Sequence, residues 1–358
     1  MDLSPLNLGM IASFYNVSYA TIDVFHLSLS GTTKLRGMLE IVSSASEFET
    51  VPIRRHEDVL LRRIYDRMPL KLDKIQFENP FHKTFVLLQA HFSRLTLPAD
   101  LAQDQRDILN RVLTLLNACV DVMSSGAMLN AIVAMEISHM CVQAVWDRDS
   151  PLRQVPHFTA ATIQRCQARG IHDVYALADV LPDMSQHERD ELLQLNKRQL
   201  ADVATLTNEF PYVDIEFDIL DKEKLDSAST IILQAKLERD VDEEEEEPSD
   251  PTAIAPFYPS PKMTAWWLVI GDPGTNSLLS IKRVTIAKTL DVRLEFMLPA
   301  GMHDKLKLYL MCDSYIGADR ELEVPALHVA QGEEDEELDD EDNIEMPDAC
   351  LLYTSPSP

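Results

Sequence analysis

The sequence has few cysteines, and their arrangement excludes several classes of protein. Five cysteines in 358 residues stand far apart, at positions 119, 141, 166, 312 and 350, and none belongs to a CxxC pair. Such spacing and an odd total argue against a disulfide framework or a zinc site and indicate free thiols in a reducing compartment. The N-terminal stretch MDLSPLNLGM also lacks the basic and apolar regions of a signal peptide.

Motifs that carry catalytic chemistry are missing as well. The chain contains no HExxH, GxSxG, GxGxxG or Walker loop, and its ten histidines show no ligand spacing. The stretch VIGDPGTNSLLSI (269–281) superficially resembles a phosphate-binding loop, but it has no lysine in place and a strand pattern follows it. Pro273-Gly274 therefore predicts a tight turn between two strands. We expect no active site, no metal and no cofactor.

The acidity of the chain is concentrated in two runs. The formal net charge is −27, with 8 acidic residues in 240–250 and 11 in 333–348, and the remainder of the chain is near −8. Runs of this kind are usually solvated and sometimes bind a basic partner.

Residues 1–150 show the 3.6-residue period of helices. PFHKTFVLLQAHFSRL and DILNRVLTLLNACVDV each place apolar residues at spacings of three and four, and Pro98 followed by Asp100 predicts a helix start between them. IRRHEDVLLRRIYDRM (53–68) predicts a further amphipathic helix with five arginines. Several such helices in series indicate a helical bundle.

The segment 127–146 predicts a central helix, since 15 of its 20 residues are apolar. Glu136, His139, Gln143 and Trp146 fall on one narrow edge of it and argue against a membrane span. Two interpretations are open. The polar groups of this edge find their hydrogen-bond partners in neighbouring elements, or the edge faces a channel or ligand, where Trp146 and His139 stack on bases.

Residues 151–210 predict a smaller helical unit, and a β region follows it. Thr159, Gly170 and the capping box Ser185-Glu188 mark helix ends, and the period changes from 3.6 to 2 after Pro211. About seven short strands are predicted, at 213–219, 231–237, 265–270, 278–286, 292–298, 306–312 and 321–329. Their number and turn signals are typical of an immunoglobulin-like sandwich.

The predicted fold is thus a multidomain α + β chain. A helical bundle (1–150) precedes a helix-loop-helix domain (151–210), an immunoglobulin-like, fibronectin-III-like β-sandwich (211–330) and an acidic tail (331–358), which we expect to be disordered. The last residues, LLYTSPSP, fit neither the tail nor a domain and are interpreted as a cloning or read-through scar.

Several stretches resemble a known unit of helicases. They are SPLNLGMIASFYNVSYATIDVF, LLQAHFSRLTL, AMEISHMCVQAVWDRDSPLRQVPHF, ELLQLNKRQLADVA and WWLVIGDPGTNSLLSIKRV. Over about residues 4–330 the chain is similar to the Sec-sixty-three homology unit of Ski-two-like helicases, and most closely to the last such unit of the spliceosomal U-five RNA helicases. In that family the unit follows two RecA-like domains and a winged helix. Both RecA-like domains are missing here, so the resemblance implies a non-catalytic fragment that neither binds ATP in the family's manner nor unwinds RNA by itself.

The resemblance also implies a role in pre-mRNA splicing. It equates the helix at 127–146 with the bundle helix that crosses the nucleic-acid channel, so His139, Gln143 and Trp146 are candidate RNA contacts, with Arg153 at the following junction. The unit is expected to brace the helicase core and to dock proteins in the nucleus. Its implied partners are the RecA-like core in cis, spliceosomal proteins and small nuclear RNA, with no membrane and no metal.

Two alternatives stay open. The chain is a pure protein-interaction scaffold without RNA contact, which its low net basicity favours, since phosphate binding needs lysine and arginine. Otherwise it is the same unit from a related DNA-repair or ribosome-associated helicase.

Overall fold

The computed structural model describes residues 7–240 and 251–332. Its N-terminal part is helical, and its C-terminal part is built from antiparallel strands, so the predicted mixture of helices and strands is confirmed. The bundle helices are α1 (Asn7–Tyr15), α2 (Tyr19–Ser28), α3 (Leu35–Ser43), α4 (Asp58–Asp66), α5 (Pro80–Phe92), α6 (Ala99–Ser125) and α7 (Ile132–Gln143).

Helices α5 and α6 confirm the apolar stripes. Asn79 caps α5 by accepting a hydrogen bond from the Phe81 N–H, and Pro80 occupies the first turn, where its missing N–H costs nothing. Helix α6 begins at Ala99, directly after Pro98, as expected. Four apolar stripe positions of α6 (Ile108, Val112, Leu115, Cys119) are buried in the bundle core.

The predicted helix at 53–68 is too long at its N-terminal end. Helix α4 covers only Asp58–Asp66, and His56 just before it has a left-handed φ of 65° that interrupts a helix. A buried ion cluster holds this turn instead: the Lys83 ammonium lies 2.7 Å from both Glu57 and Asp104, and Arg54 pairs with Asp104 at 2.5 Å. Arg54 is thus part of the bundle's interior ion network.

The predicted helix at 127–146 is too long at both ends. A 3₁₀ turn (Leu129–Ala131) precedes α7, and Ala127 before it has a left-handed φ of 51°. At the other end Ala144 is left-handed too, and the Arg94 guanidinium donates to the carbonyls of Gln143 and Ala144 at 3.0 Å. These bonds replace the next helical turn.

The smaller helical unit contains four short helices. They are α8 (Ala160–Ala168), α9 (Val174–Val180), α10 (Gln186–Leu193) and α11 (Lys197–Glu209). Thr159 caps α8, Gly170 follows it with a φ of 80°, and Ser185 forms the predicted capping box with Glu188. Each local signal read from the sequence in this unit is confirmed.

The described β region has nine strands in two larger antiparallel sheets and one small sheet. The strands are β1 (Val213–Ile219), β2 (Ile231–Arg239), β3 (Trp266–Asp272), β4 (Ser277–Val284), β5 (Thr289–Phe296), β6 (Gly301–His303), β7 (Lys307–Cys312), β8 (Arg320–Glu323) and β9 (Leu327–Val329). The sheet orders are β1-β2-β5, β4-β3-β7-β8 and β6-β9. The predicted strand at 321–329 is two strands, β6 was missed, and 240–250 falls between β2 and β3 as expected.

Strand β3 separates two hydrophobic cores. Trp267 and Val269 pack into the bundle core, whereas Trp266, Leu268 and Ile270 face a second core shared by the two larger sheets and the helical unit 151–210. The alternation follows from the period of two, because successive side chains of a strand point to opposite faces. The sheet β4-β3-β7-β8 is therefore covered on both faces, and the bundle and the β region meet across it. The limits of 1–150, 151–210 and 211–330 as separate domains stay a prediction.

Within residues 7–240 and 251–332, no helix combines the length and the apolar composition that crossing a membrane requires. In the same residues no group of three or more His, Cys, Asp or Glu could hold a metal ion. Four cysteines (Cys119, Cys141, Cys166, Cys312) are free, as the spacing predicts for those positions, and the structure buries all four; Cys350 lies outside the described residues.

Candidate functional site at the junction of bundle and sheets

The polar edge of α7 faces the segment that follows β7. Gln143 is 1% exposed, and its amide donates to the carbonyls of Ser314 at 2.7 Å and Ile254 at 3.3 Å. His139 is buried with Nδ1 3.3 Å from the Cys312 carbonyl and 3.7 Å from the Asp319 carboxylate. Both side chains thus bond across the junction, mainly to main-chain oxygens.

Burial controls the charges of this edge. It lowers the pKa of His139 to about 4, although nearby Glu136 opposes the shift. It raises the pKa of Asp319 to about 7, even though the Cys312 N–H donates to that carboxylate at 2.6 Å. His139 is therefore neutral at neutral pH and can donate from Nδ1 to Cys312, while Asp319 titrates near neutrality.

A buried ion cluster holds the chain at the end of β7. The Asp313 carboxylate is 2% exposed, lies 2.5 Å from the Lys262 ammonium and also pairs with Arg283. Burial raises the pKa of Asp313, but the charges of Arg283 and Lys262 outweigh it and leave the pKa below its ordinary value. The Arg283 guanidinium also lies 3.7 Å from the centre of the Trp267 ring, which packs on the bundle. This cluster fixes the segment to which Gln143 bonds.

Trp146 is buried at the end of the bundle. It is 4% exposed, its indole N–H donates to the Ser93 hydroxyl at 2.9 Å, and its ring meets Phe92 edge to face at 5.1 Å. The Arg148 guanidinium lies 5.5 Å from the centre of the Trp146 ring. In this structure the stacking partners of Trp146 are thus side chains of the same chain.

Arg153 lies near Arg94, an arginine that the sequence did not indicate as part of a site. Arg153 is partly exposed and pairs with Asp149 at 2.7 Å. Burial, and after it the charge of Arg153, lowers the pKa of Arg94 to about 10. We call Arg94 and Arg153, together with Arg148 over the Trp146 ring, the junction cluster. Phe257, which is 46% exposed, stacks under Arg94 at 4.0 Å. No spacing rule connects positions 94 and 257, so no sequence signal could have found this contact.

The turn that first resembled a phosphate loop is a β-hairpin, as predicted, and its tip contacts the bundle. The Leu129 N–H donates to the Asn276 carbonyl at 3.1 Å, and the Leu278 N–H donates to the Ala127 carbonyl at 2.9 Å. The Asn276 side chain also donates to Gly31 at 2.9 Å. Gly271 permits this approach, because a Cβ there would lie 2.5 Å from the Leu129 side chain. The sequence predicted the hairpin but not its contact with the bundle.

The four predicted site residues therefore lie along one junction but in different surroundings. His139 and Gln143 bond to the β region, Trp146 packs inside the bundle, and Arg153 reaches the surface. Their contact with RNA stays a prediction.

The family model described as the Sec63 Brl domain matches residues 5–325. The chain belongs to this family. The resemblance seen in the sequence is thereby confirmed, and the match spans the bundle, the smaller helical unit and nearly all of the described strands.

Proteins similar to this Sec63 Brl chain include, by name, a helicase, a splicing factor and a subunit of a cointegrator complex. It is 43% identical over 95% of its length to the human U5 small nuclear ribonucleoprotein 200 kDa helicase. It is 47% identical over 89% of its length to the pre-mRNA-splicing factor brr2 of Schizosaccharomyces pombe. A third relative, activating signal cointegrator 1 complex subunit 3-like of Dictyostelium discoideum, is 41% identical over 90% of the chain. The chain spans about 15% of the length of these relatives.

Proposed function

We propose that the chain is the non-catalytic Sec63 module of a spliceosomal RNA helicase, acting in the nucleus in pre-mRNA splicing. The observation that carries the proposal is the family match over 5–325, combined with relatives named as a U5 helicase and a splicing factor. In this proposal the module braces a helicase core in cis, lines its RNA channel and docks spliceosomal proteins. Its β region would be the immunoglobulin-like sandwich that the strand spacing predicts.

The junction supports the bracing role. Hydrogen bonds of Gln143, the docked hairpin tip and the two-sided burial of β3 join bundle and sheets through separate contacts. A brace needs such coupling, because a load on one part must move the other rather than open a hinge. We propose that helices and sheets move as one body when the module contacts its motor.

The RNA-contacting role divides among the four predicted residues. Arg153 would contact phosphate directly, together with Arg94 and Arg148 of the junction cluster, since arginine forms charge-assisted bonds to phosphate oxygens. His139, Gln143 and Trp146 would act indirectly, by holding α7 and the Phe92–Ser93 end of α5 in place. The half-exposed Phe257 ring beside Arg94 supplies a surface on which a base could stack.

A binding measurement on the full chain tests the RNA-contacting part. Fluorescence anisotropy of a labelled twelve-residue oligouridine should show binding at 50 mM salt that weakens steeply towards 200 mM salt. The pair Arg148→Glu/Arg153→Glu should weaken it at least tenfold, whereas Lys197→Glu/Arg198→Glu, an equal charge change at exposed positions of α11, should lower it much less. Absence of binding by the folded chain at 50 mM salt would overturn RNA contact by the isolated module.

The second candidate function is a protein-interaction scaffold without RNA contact. The net charge of −27 favours it, and so does the use of His139 and Gln143 for contacts within the chain. Capture of spliceosomal proteins from nuclear extract by a chain that fails the anisotropy test would support this candidate. Recovery of ribosomal or DNA-repair proteins instead would favour a related helicase as the source of the module.

A further inference from the structure

Helix α4 and the loop between α5 and α6 enclose a groove of about 240 Å³. One wall is the face of α4 formed by Leu60, Arg63, Ile64 and Arg67, at positions i, i+3, i+4 and i+7. The opposite wall is the loop segment 95–98. Leu60, Ile64, Leu95 and Leu97 supply apolar surface, and the two arginines supply positive charge. We call this feature the α4 groove.

The two arginines that line the groove lack acidic partners among the described residues. Arg63 and Arg67 are exposed, as is Arg55 in the turn before α4, and none of them forms an ion pair with a residue in 7–240 or 251–332. Their neighbour Arg54 shows the contrast, because it pairs with both Glu57 and Asp104. The chain has 59 acidic and 32 basic residues, so arginines without an acidic partner are unexpected in it. Beside an exposed leucine they form a surface suited to a ligand that carries both negative charges and apolar groups.

We propose that the α4 groove binds the acidic run 333–348 of the same chain. This run carries 11 acidic residues interspersed with Leu338, Ile344 and Met346. Its carboxylates match the arginines, and its apolar side chains match the groove walls, so one segment satisfies both kinds of surface. Single-stranded RNA fits less well, because no aromatic side chain lines the groove for bases to stack on.

The length of the run gives its far end, around 341–348, the greatest reach from Gly332. Sixteen extended residues span up to about 55 Å, and a compact chain of this size has a diameter of about 50 Å. Exposed ion pairs are individually weak, but the covalent link supplies an effective concentration in the millimolar range. Binding in cis would therefore be reversible and salt-sensitive, and a basic partner or a competing acidic segment would displace the run.

The only cysteine outside the described residues offers a specific probe. Cys350 lies two positions after the run, whereas Cys119, Cys141, Cys166 and Cys312 are buried and burial raises the pKa of each thiol. A benzophenone maleimide should thus label Cys350 of the native full chain selectively. Photocrosslinking followed by peptide mapping then reports which surface the segment contacts.

The proposal expects intramolecular crosslinks to peptides that contain 55–67 and 93–98, independent of protein concentration. Arg63→Glu/Arg67→Glu should reduce their yield about tenfold, and so should 0.5 M salt, whereas the matched pair Lys197→Glu/Arg198→Glu should leave it unchanged. Circular dichroism establishes that both variants are folded.

Three results would overturn the proposal. Crosslinks confined to other surfaces would remove the α4 groove as the binding site. Crosslinks between two chains that grow with concentration would assign the groove to a second copy. The third result has two parts: Arg63→Glu/Arg67→Glu abolishes oligouridine binding but leaves the crosslink yield at the level of the unmodified chain. It would assign the two arginines of the groove to RNA. That last result is distinct from failure of the proposed function, whose RNA test depends on the junction cluster.

Discussion

Helices α4 and α7 both carry polar side chains that the sequence singled out, and the structure uses them in opposite ways. The polar edge of α7 is buried, with Gln143 and His139 bonded to the β region. The arginines of α4 at positions 63 and 67 remain exposed beside Leu60 and Ile64. A few polar groups on a nearly all-apolar helix were satisfied inside the fold, whereas charges on an amphipathic helix were left at the surface.

The physical reason is the cost of desolvation. A helix that is apolar nearly all round must be buried, so each polar group on it requires a partner from a neighbouring element. An amphipathic helix needs to bury only one face, and long charged side chains on the other face stay in water at little cost. A polar edge on a buried helix therefore indicates, first of all, hydrogen bonds to the elements that pack against the helix.

The largest effect on stability is expected from truncation of Trp146, the aromatic residue that follows α7. Trp146→Ala should lower the free energy of unfolding by about 3–5 kcal/mol, because it leaves a cavity against Phe92 and removes the indole donor to the Ser93 hydroxyl. Urea denaturation followed by circular dichroism measures this, with Trp146→Phe as the milder control. A loss below about 1 kcal/mol would mean that Trp146 is free to serve a ligand rather than the core.

Gln143 tests the junction itself. Gln143→Ala should cost about 1–3 kcal/mol, since the carbonyls of Ser314 and Ile254 lose a buried donor. The same urea experiment on Gln167→Ala, at an exposed position of α8, should show a change below about 0.5 kcal/mol. Equal effects of the two substitutions would contradict the assignment of Gln143 as a bond across the junction.

The pH dependence of stability tests the buried charges beside α7. The pKa of Asp319 is raised to about 7, so its contribution to stability is full near pH 4 and is lost as the pH rises to 7. The pKa of His139 is lowered to about 4, so its contribution rises with pH from about 4 to 6.5. The two slopes oppose each other, and each is at most about 1.4 kcal/mol per pH unit.

Removing one member should expose the slope of the other. His139→Gln keeps the burial that raises the pKa of Asp319, so its free energy of unfolding should fall relative to the unmodified chain as the pH rises from 4.5 to 6.5. Asp319→Asn should give the opposite slope. Urea midpoints at several pH values measure both, and parallel profiles for all three proteins would refute the assignment. Glu136, whose pKa burial also raises, faces the same site and should be mutated as a further control.

The smallest effect is expected on α4. Arg63→Ala and Arg67→Ala should each change the free energy of unfolding by less than about 0.5 kcal/mol, because neither side chain has a partner among the described residues. Thermal or urea unfolding checks this beside Lys83→Met, which leaves Arg54 as the only cation of the cluster against the buried Glu57 and Asp104 and should be far more damaging. A large loss at Arg63 would show that the exposed face is structural.

Local patterns in the sequence predicted many of the helices and strands correctly. The apolar stripes of α5 and α6, the capping box at Ser185 and the strand at 213–219 were all read correctly, because each depends on neighbours within a few residues. Helix ends were read less well at α4 and α7. There, distant groups decided them: Asp104 and Lys83 hold the turn before α4, and Arg94 caps α7.

By itself the sequence determined the element types, the order of helices before strands, the hairpin at Pro273-Gly274 and membership of the Sec63 family. Hydrophobic period, turn residues and short sequence motifs are local properties, so they can be recognised without the tertiary structure. Only the tertiary structure decided what the polar residues face. It paired Gln143 with Ser314 and brought Arg94 to Arg153, across separations of 171 and 59 positions in the chain. Period tells which face of an element is buried, but the partner that meets the face depends on how all the elements pack together.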